Sequence, residues 1–364
     1  MTSEDESALR VNRGCQTPEP PELTARMGKA RRPVSHRQYI DGILAGNRNL
    51  LARAITLIES SRAADRDLAE HIVEDCLPHS GNSMRVGITG VPGAGKSSLI
   101  EALGTYLICD QGQKVAVLAI DPSSQLSGGS ILGDKTRMTS LGASEMAFIR
   151  PSPSRGIPGG VAQHTRETML LCEAAGFQNV LVETVGVGQS ETAVHAMVDF
   201  FLLIALAGAG DELQGIKRGV MELADLVVIN KADGANLHAA EIARAEAQNA
   251  LHYFSESLSG WKPQALACSA LTGHGINEIW NCVLNHHALT KANGWLIRKR
   301  QEQAQKWMHG IIEQGLRQSF ESRAEIRERL RMLEQDVQDG HTTPFRAARE
   351  LLEMFRRAQS PRNP

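Results

Sequence analysis

One stretch, "GVPGAGKS" at Gly90–Ser97, constrains this chain more than any other. It follows an apolar run, "RVGIT" (85–89), and opens a helical pattern. It fits G-x-x-x-x-G-K-[ST], with Gly90, Gly95, Lys96 and Ser97 at the fixed positions, in the strand–turn–helix setting that the pattern requires. Glycines let the backbone bend until its N–H groups converge on phosphate oxygens. The helix N-terminus adds about half a positive charge. Gly90, Gly93, Ala94, Gly95 and Ser98 then line a phosphate cradle, Lys96 reaches the β- and γ-phosphates, and the Ser97 hydroxyl meets Mg2+.

Such a loop needs a sheet behind it. Six further runs read as strands: "KVAVLAI" (114–120), "MAFI" (146–149), "NVLVET" (179–184), "FFLLIAL" (200–206), "DLVVIN" (225–230) and "QALACS" (264–269). They are almost continuously apolar, as in a mostly parallel sheet covered on both faces. Helical patterns separate most of them. The sequence predicts a doubly wound, mostly parallel α/β domain over residues 80–289. Residues 35–79 read as an N-terminal helical cap, with Leu51, Ala54, Ile55 and Ile58 on one face. Residues 1–34 are polar, Pro-rich and aperiodic, which predicts a disordered tail. Residues 290–364 read as a helical arm. It carries a stripe at Trp307, Ile311, Ile312, Leu316 and Phe320 and a second at Ile326, Leu330, Leu333 and Val337. Both stripes exceed the needs of the sheet, so the arm is expected to form a homodimer. Thr343-Pro344 reads as an N-cap and first helical position.

Two further strand ends carry chemistry. "NKAD" (230–233) ends a strand downstream of the phosphate loop. An Asp carboxylate there accepts from guanine N1–H and the exocyclic amine, while Asn230 and Lys231 brace the base. Adenine would leave Asp233 unpaired, which costs more than the ~1–3 kcal/mol of a neutral group. Ser269, Ala270 and Leu271, after the next strand, are placed to complete the base pocket. The ligand is therefore GTP. "ETVGVGQSE" (183–191) puts Glu183 and Gly186 where an acidic residue and a glycine sense Mg2+ and the γ-phosphate. Val187, not Gln, follows Gly186, which predicts slow intrinsic hydrolysis.

"LSGGS" (126–130) looks like a transporter-ATPase signature, but it lies only about 30 residues past Lys96 and no Asp-Glu strand end follows. It reads instead as part of a switch loop flanked by Asp121 and Asp134, both placed to meet Mg2+, the attacking water or a partner.

Composition narrows the classes. With 39 basic and 41 acidic residues, net charge −2, nothing favours a nucleic-acid partner. The six cysteines are scattered without a Cys-x-x-Cys and read as reduced thiols. No apolar run reaches membrane-span length, and the acidic "MTSEDES" start is unlike a signal peptide. These features predict a cytoplasmic protein. His286 and His287 are adjacent, about 100° apart on a helix, poor for one metal, and are expected at the surface.

Taken together, "GVPGAGKS", "AIDPSSQLSGGSILGDKTRM", "FIRPSPSRG", "VETVGVGQSE", "AGAGDELQGIKRGVMELADLVVINKAD" and "SALTGHGINEIW" resemble the MeaB/ArgK family of P-loop GTPases, in family order over more than half the chain. The resemblance implies a GTPase chaperone of an adenosylcobalamin-dependent acyl-CoA mutase, gating cofactor loading and protecting the mutase. It places Lys96, Asp121, Asp134, Glu183 and Gly186 at catalytic positions, and Ser97, Asp121, Asp134 and Glu183 around Mg2+. It also makes residues 208–219 a further switch that relays nucleotide state, with Lys217 and Arg218 inside it. Pro158 departs from the family pattern. Two alternatives stay open: a nickel-type metallochaperone GTPase, and an ATP-dependent kinase of an arginine/ornithine transport system.

Overall fold

Long apolar runs have no polar face to offer water, so they pair side by side beneath helices on both faces. The computed structural model, which describes residues 34–60, 62–121, 138–153, 160–184, 190–207, 218–254 and 257–359, has a strand at each predicted run. These are β1 (Met84–Gly90), β2 (Val115–Asp121), β3 (Ala147–Pro153), β4 (Asn179–Thr184), β5 (Phe200–Leu206), β6 (Leu226–Asn230) and β7 (Gln264–Ala267). They form one seven-stranded sheet in the order β3-β2-β4-β1-β5-β6-β7. Every pairing is parallel.

β3 runs four residues beyond the predicted end, through Arg150-Pro151-Ser152-Pro153. It is an edge strand paired with β2 alone, so its prolines need not donate to a second neighbour.

The helices are α1 (His36–Leu44), α2 (Arg48–Ile58), α3 (Ala63–Cys76), α4 (Lys96–Cys109), α5 (Thr139–Ala143), α6 (Gly160–Ala174) and α7 (Ser190–His195), followed by α8 (Arg218–Met221), α9 (Leu237–Leu251), α10 (Ile276–Ala292), α11 (Trp295–Glu321), α12 (Ala324–Gln338) and α13 (Pro344–Gln359). α4, α5 and α10 cover one face through Leu99, Leu103, Leu141, Ile279 and Trp280. α9 covers part of the other through Ala240, Ala243 and Ala247. α2 and α3 lie on α6, with Leu51, Ala54, Ile55 and Ile58 buried as the periodicity predicts. Asn47 Oδ1 caps α2 by accepting from the N–H groups of Asn49 and Leu50. Arg150 of β3 pairs with Glu59 at the end of α2.

The two arm stripes have different fates. Ile326 and Leu333 of α12 are buried against Ala347 and Leu351 of α13. That stripe is satisfied within the chain, which corrects the expectation that both stripes await a second copy. On α11, Met308, Ile311, Ile312 and Leu316 stay 41–60% exposed. The histidine expectation also needs correction. His286 is only 4% exposed, seated edge-on between Phe200 and Trp261. It continues the Ile276, Ile279, Val283 stripe of α10, so helical spacing carries it inward.

At the edge of the sheet where the strands begin, a polar network fastens α11 to the core. Arg300 Nε and Nη2 donate to the two Asp199 carboxylate oxygens at 2.8 and 2.7 Å. Its guanidinium also donates to the carbonyls of Gly81 and Ser83. Asp199 accepts from the Arg85 N–H at 3.0 Å, and the Arg85 guanidinium forks onto Glu173 at 2.6 and 2.9 Å. Among the described residues no helix is long and apolar enough to cross a membrane.

Candidate nucleotide site

The site lies at the opposite edge, outside the carboxyl ends of the strands. Connections leave β1 toward β2 and leave β4 toward β5, in opposite directions across the sheet. That reversal opens a crevice between β1 and β4, the place where doubly wound sheets hold ligands.

β1 ends in Gly90, where an added Cβ would stand 2.4 Å from the Ile204 carbonyl oxygen on β5. The close approach excludes any side chain and lets the loop turn. Gly95, at φ 87°, is the N-cap of α4; a Cβ there would stand 2.6 Å from Asn230 Nδ2. The phosphate loop and the base motif are thus in contact. Asn230 Nδ2 donates to the Ala94 carbonyl at 2.8 Å.

Lys96 is 9% exposed, and its ammonium donates to the carbonyls of Gly90 and Val91 at 2.8 and 3.2 Å. Burial pushes it below its ordinary value, while the Glu183 and Glu191 carboxylates pull the other way. Ser97 Oγ donates to Glu183 Oε1 at 3.0 Å. A hydroxyl and a carboxylate oxygen converging beside a phosphate loop are the donors a hard cation prefers, so Mg2+ fits Ser97 and Glu183. The backbone of Asp121 ends β2, beside β4, where Ile120 is level with Thr184. Asp134, Gly186, the "LSGGS" stretch, Pro158 and residues 208–217 lie outside the described residues.

On the base side, Ser269 Oγ donates to Asp233 Oδ2 at 2.5 Å. Asn230 Oδ1 accepts from the Ala270 N–H at 3.2 Å and faces the Cys268 thiol at 3.5 Å. Leu271 is 87% exposed at the rim. Apart from glycines, Lys231 alone among the described residues has positive φ, 61°. A non-glycine residue there costs about 1 kcal/mol. Asn236 Nδ2 holds the Lys231 carbonyl at 2.7 Å. The structure therefore brings Gly90, Gly95, Lys96, Ser97, Glu183, Asn230, Lys231, Asp233, Ser269 and Ala270 to one end of the sheet.

Sequence reasoning missed Glu191, Thr89 and Thr184. Glu191, 5% exposed on α7, reads in sequence as an ordinary acid in a first helical turn. Thr89 and Thr184 hide inside strand patterns.

The family described as methylmalonyl-CoA mutase-associated GTPase MeaB matches residues 51–325. The GTPase ArgK of Escherichia coli is 51% identical over 74% of this chain and 81% of its own length. The mouse protein named methylmalonic aciduria type A homolog, mitochondrial, is 44% identical over 86% of this chain and 78% of its own. A crystal structure titled LAO/AO transport system kinase superposes with a TM-score of 0.71 at 39% identity, covering 88% of this chain and 97% of that one. With the family model spanning residues 51–325 and relatives of this identity and coverage, the chain belongs to the MeaB family of P-loop GTPases.

Proposed function

We propose that the protein binds and hydrolyses GTP as a cytoplasmic, homodimeric chaperone of an adenosylcobalamin-dependent acyl-CoA mutase. The observation that carries the GTP reading is the Asp233 carboxylate, oriented by the Ser269 hydroxyl and tied to the phosphate loop through Asn230. Guanine offers that carboxylate two donors, and adenine offers it none.

In this reading the loop N–H groups and the first turn of α4 receive the phosphates. Lys96 exchanges its loop carbonyls for β- and γ-phosphate oxygens. Mg2+, when bound, offsets charge developing on the phosphate oxygens. Ser97 and Glu183 hold it, with Asp121 and Asp134 completing the acidic positions. Gly186 offers its N–H to the γ-phosphate. Val187, not glutamine, directly follows Gly186, so turnover alone is slow and rises when the partner is bound.

The family description and the named mouse relative support a mutase as partner. The exposed α11 stripe supports a second copy of this chain as its cover. Ile312→Glu with Leu316→Glu should give a monomer by light scattering at micromolar concentration. A parent already monomeric there removes the dimer.

The test of function is a nucleotide competition followed by single-turnover hydrolysis with and without an adenosylcobalamin mutase. GTP should displace a fluorescent GDP at concentrations where ATP does not, and Asp233→Asn should shift preference toward xanthosine nucleotides. Equal affinities for ATP and GTP would return the chain to the kinase reading, which the titled neighbour keeps in view. Among the described residues no group of three His, Cys, Asp or Glu side chains is placed to hold a metal ion, so the nickel alternative has no described site to argue from.

A further inference from the structure

The crevice between β1 and β4 is spanned by a bond that the nucleotide motifs do not include. The β1–β4 ladder ends at Ile88–Glu183. One residue further, each strand keeps only its outer neighbour. Thr89 is level with Leu203 and Gly90 with Ile204, both on β5, while Thr184 is level with Ile120 on β2. The two strands separate just where the phosphate loop leaves one and Glu183 ends its pairing on the other. Across that gap Thr184 Oγ1 donates to Thr89 Oγ1 at 2.7 Å, and both side chains are at most 1% exposed.

Strand alternation decides what this bond can do. Successive side chains point to opposite faces. Glu183 points to the α4 face, where it meets Ser97. Thr184 and Thr89 point to the other face, where Gly87, two residues before Thr89, lies against Val194 and Val198. Both hydroxyls lie buried on the face away from α4, bonded to each other. A pair of valines would offer a closely similar shape with no polar atom to bury, so shape does not require hydroxyls here. What they add is a fixed distance between two backbones that carry opposite halves of the Mg2+ site: β1 with its loop and Ser97, and β4 with Glu183.

We infer that Thr184, through its bond to Thr89, is a positioning residue that sets the Ser97–Glu183 separation and hence the Mg2+-dependent step. The inference rests on the GTPase reading above and adds the element that fixes its metal geometry.

The experiment is a double-mutant cycle in the full chain with Thr184→Val, Thr89→Val and both together. GTP turnover is measured as a function of Mg2+, alongside binding of a non-hydrolysable GTP analogue. Thr184→Val should lower kcat about tenfold or more, raise the Mg2+ needed for half-maximal rate, and leave KM for GTP within about threefold. Thr89→Val should do the same, reading the bond from its other end should the first variant fold poorly. The double variant should lose no more than the worse single one, because both remove one bond. Thr184→Ser should restore turnover to within about twofold of the parent.

An unchanged kcat in either valine variant, single losses that multiply in the double, or no rescue by serine would overturn the positioning role. A parent that binds the analogue but never hydrolyses GTP would overturn the GTPase reading instead. The cycle is then read in binding alone, where Thr184→Val must lose most of the gain in analogue affinity that Mg2+ confers on the parent, and retention of that gain refutes the inference.

Discussion

The two edges of the sheet bury polar groups in opposite ways. At the edge where the strands begin, Asp199 meets Arg300 and Arg85 meets Glu173, charge to charge, with carbonyls filling the remaining donors. Burial, the largest single influence, would raise the Asp199 carboxyl, yet the hydrogen bonds and charge of Arg300 and those of Arg85 together outweigh it and hold the group below its ordinary value. At the other edge Lys96 donates to two neutral carbonyls, and burial dominates, pushing its ammonium down. The first edge is complete within the chain and acts as a fastener for α11. The second keeps a cation hydrogen-bonded to neutral carbonyls, with Glu183 and Glu191 acting on it only through their charge, and in the proposed function a nucleotide supplies the anionic oxygens. The difference teaches how to tell a structural polar cluster from a binding one: by whether the charges already cancel.

The largest effect tests the fastener. Asp199→Ala strips the carboxylate from Arg300, whose side chain is 18% exposed. Breaking a buried pair by removing one partner costs about 3–5 kcal/mol. Denaturant unfolding should show a loss of that size, while GTP affinity of the folded protein stays within about twofold. A fall in affinity as large as the fall in stability would join the two edges into one system.

His195 lies on Phe201, near the start of β5, with Lys299 and Lys306 of α11 nearby. Burial and those lysines depress it to about 4 from an ordinary 6.5, against the pull of Asp225. Between those pH values the unfolded chain binds more protons. The stability it contributes is therefore full above about pH 6.5 and is lost as pH falls toward 4, at most about 3 kcal/mol in all. His286 and His287 are depressed in the same direction, first by burial, and add to the slope. Unfolding at pH 7 and pH 4.5 should show a smaller acid loss in His195→Gln than in the parent, by about 2–3 kcal/mol. Equal losses would assign the acid sensitivity to the other two histidines.

How much of this was legible in the sequence follows from range. The strands were, because a doubly covered strand is apolar throughout. Asn230 to Asp233 and Gly90 to Ser97 were, because backbone demands fix those residue types locally. The Arg300–Asp199 pair was not, since 101 positions separate its members and neither breaks a local pattern. The Thr89–Thr184 bond was hidden for the same reason, over 95 positions. The second arm stripe was visible but its partner was not: periodicity shows that a face is apolar, never whether the chain itself covers it. His286 was misplaced by judging it as a metal ligand beside His287 when its own spacing along α10 pointed inward.

The third effect isolates the binding edge. Lys96→Ala should leave the fold intact and remove triphosphate affinity. At ligand near 100 Kd the parent gains about 2.7 kcal/mol of stability, and the variant should gain almost none. A full thermal shift in Lys96→Ala would mean that the cation is balanced inside the chain after all, which would erase the contrast between the edges.

The smallest effect asks how rigid the binding edge is before the ligand arrives. Ser269 Oγ donates to Asp233 and also accepts from the Thr272 N–H at 3.2 Å, so one hydroxyl touches both the carboxylate and the turn behind it. The Ser269 backbone keeps its own bonds, accepting from the Gly273 N–H and donating to the His274 carbonyl, each at 2.9 Å. Ser269→Ala should therefore spare the loop and free only the carboxylate. Asp233 is partly exposed, so water takes over as donor and no buried charge is left bare. The loss should be that of one hydrogen bond, about 1 kcal/mol, or about fivefold in GTP affinity. ATP, which has no donor pair for Asp233, should bind the variant and the parent alike, so the GTP-to-ATP preference falls by the same factor. Competition titrations of both nucleotides against a fluorescent GDP measure that ratio. A preference unchanged in Ser269→Ala would mean that the base itself orients Asp233 on binding. A drop far beyond tenfold would mean that the hydroxyl holds the turn as well as the carboxylate, making this edge as interlocked as the Arg300 fastener opposite.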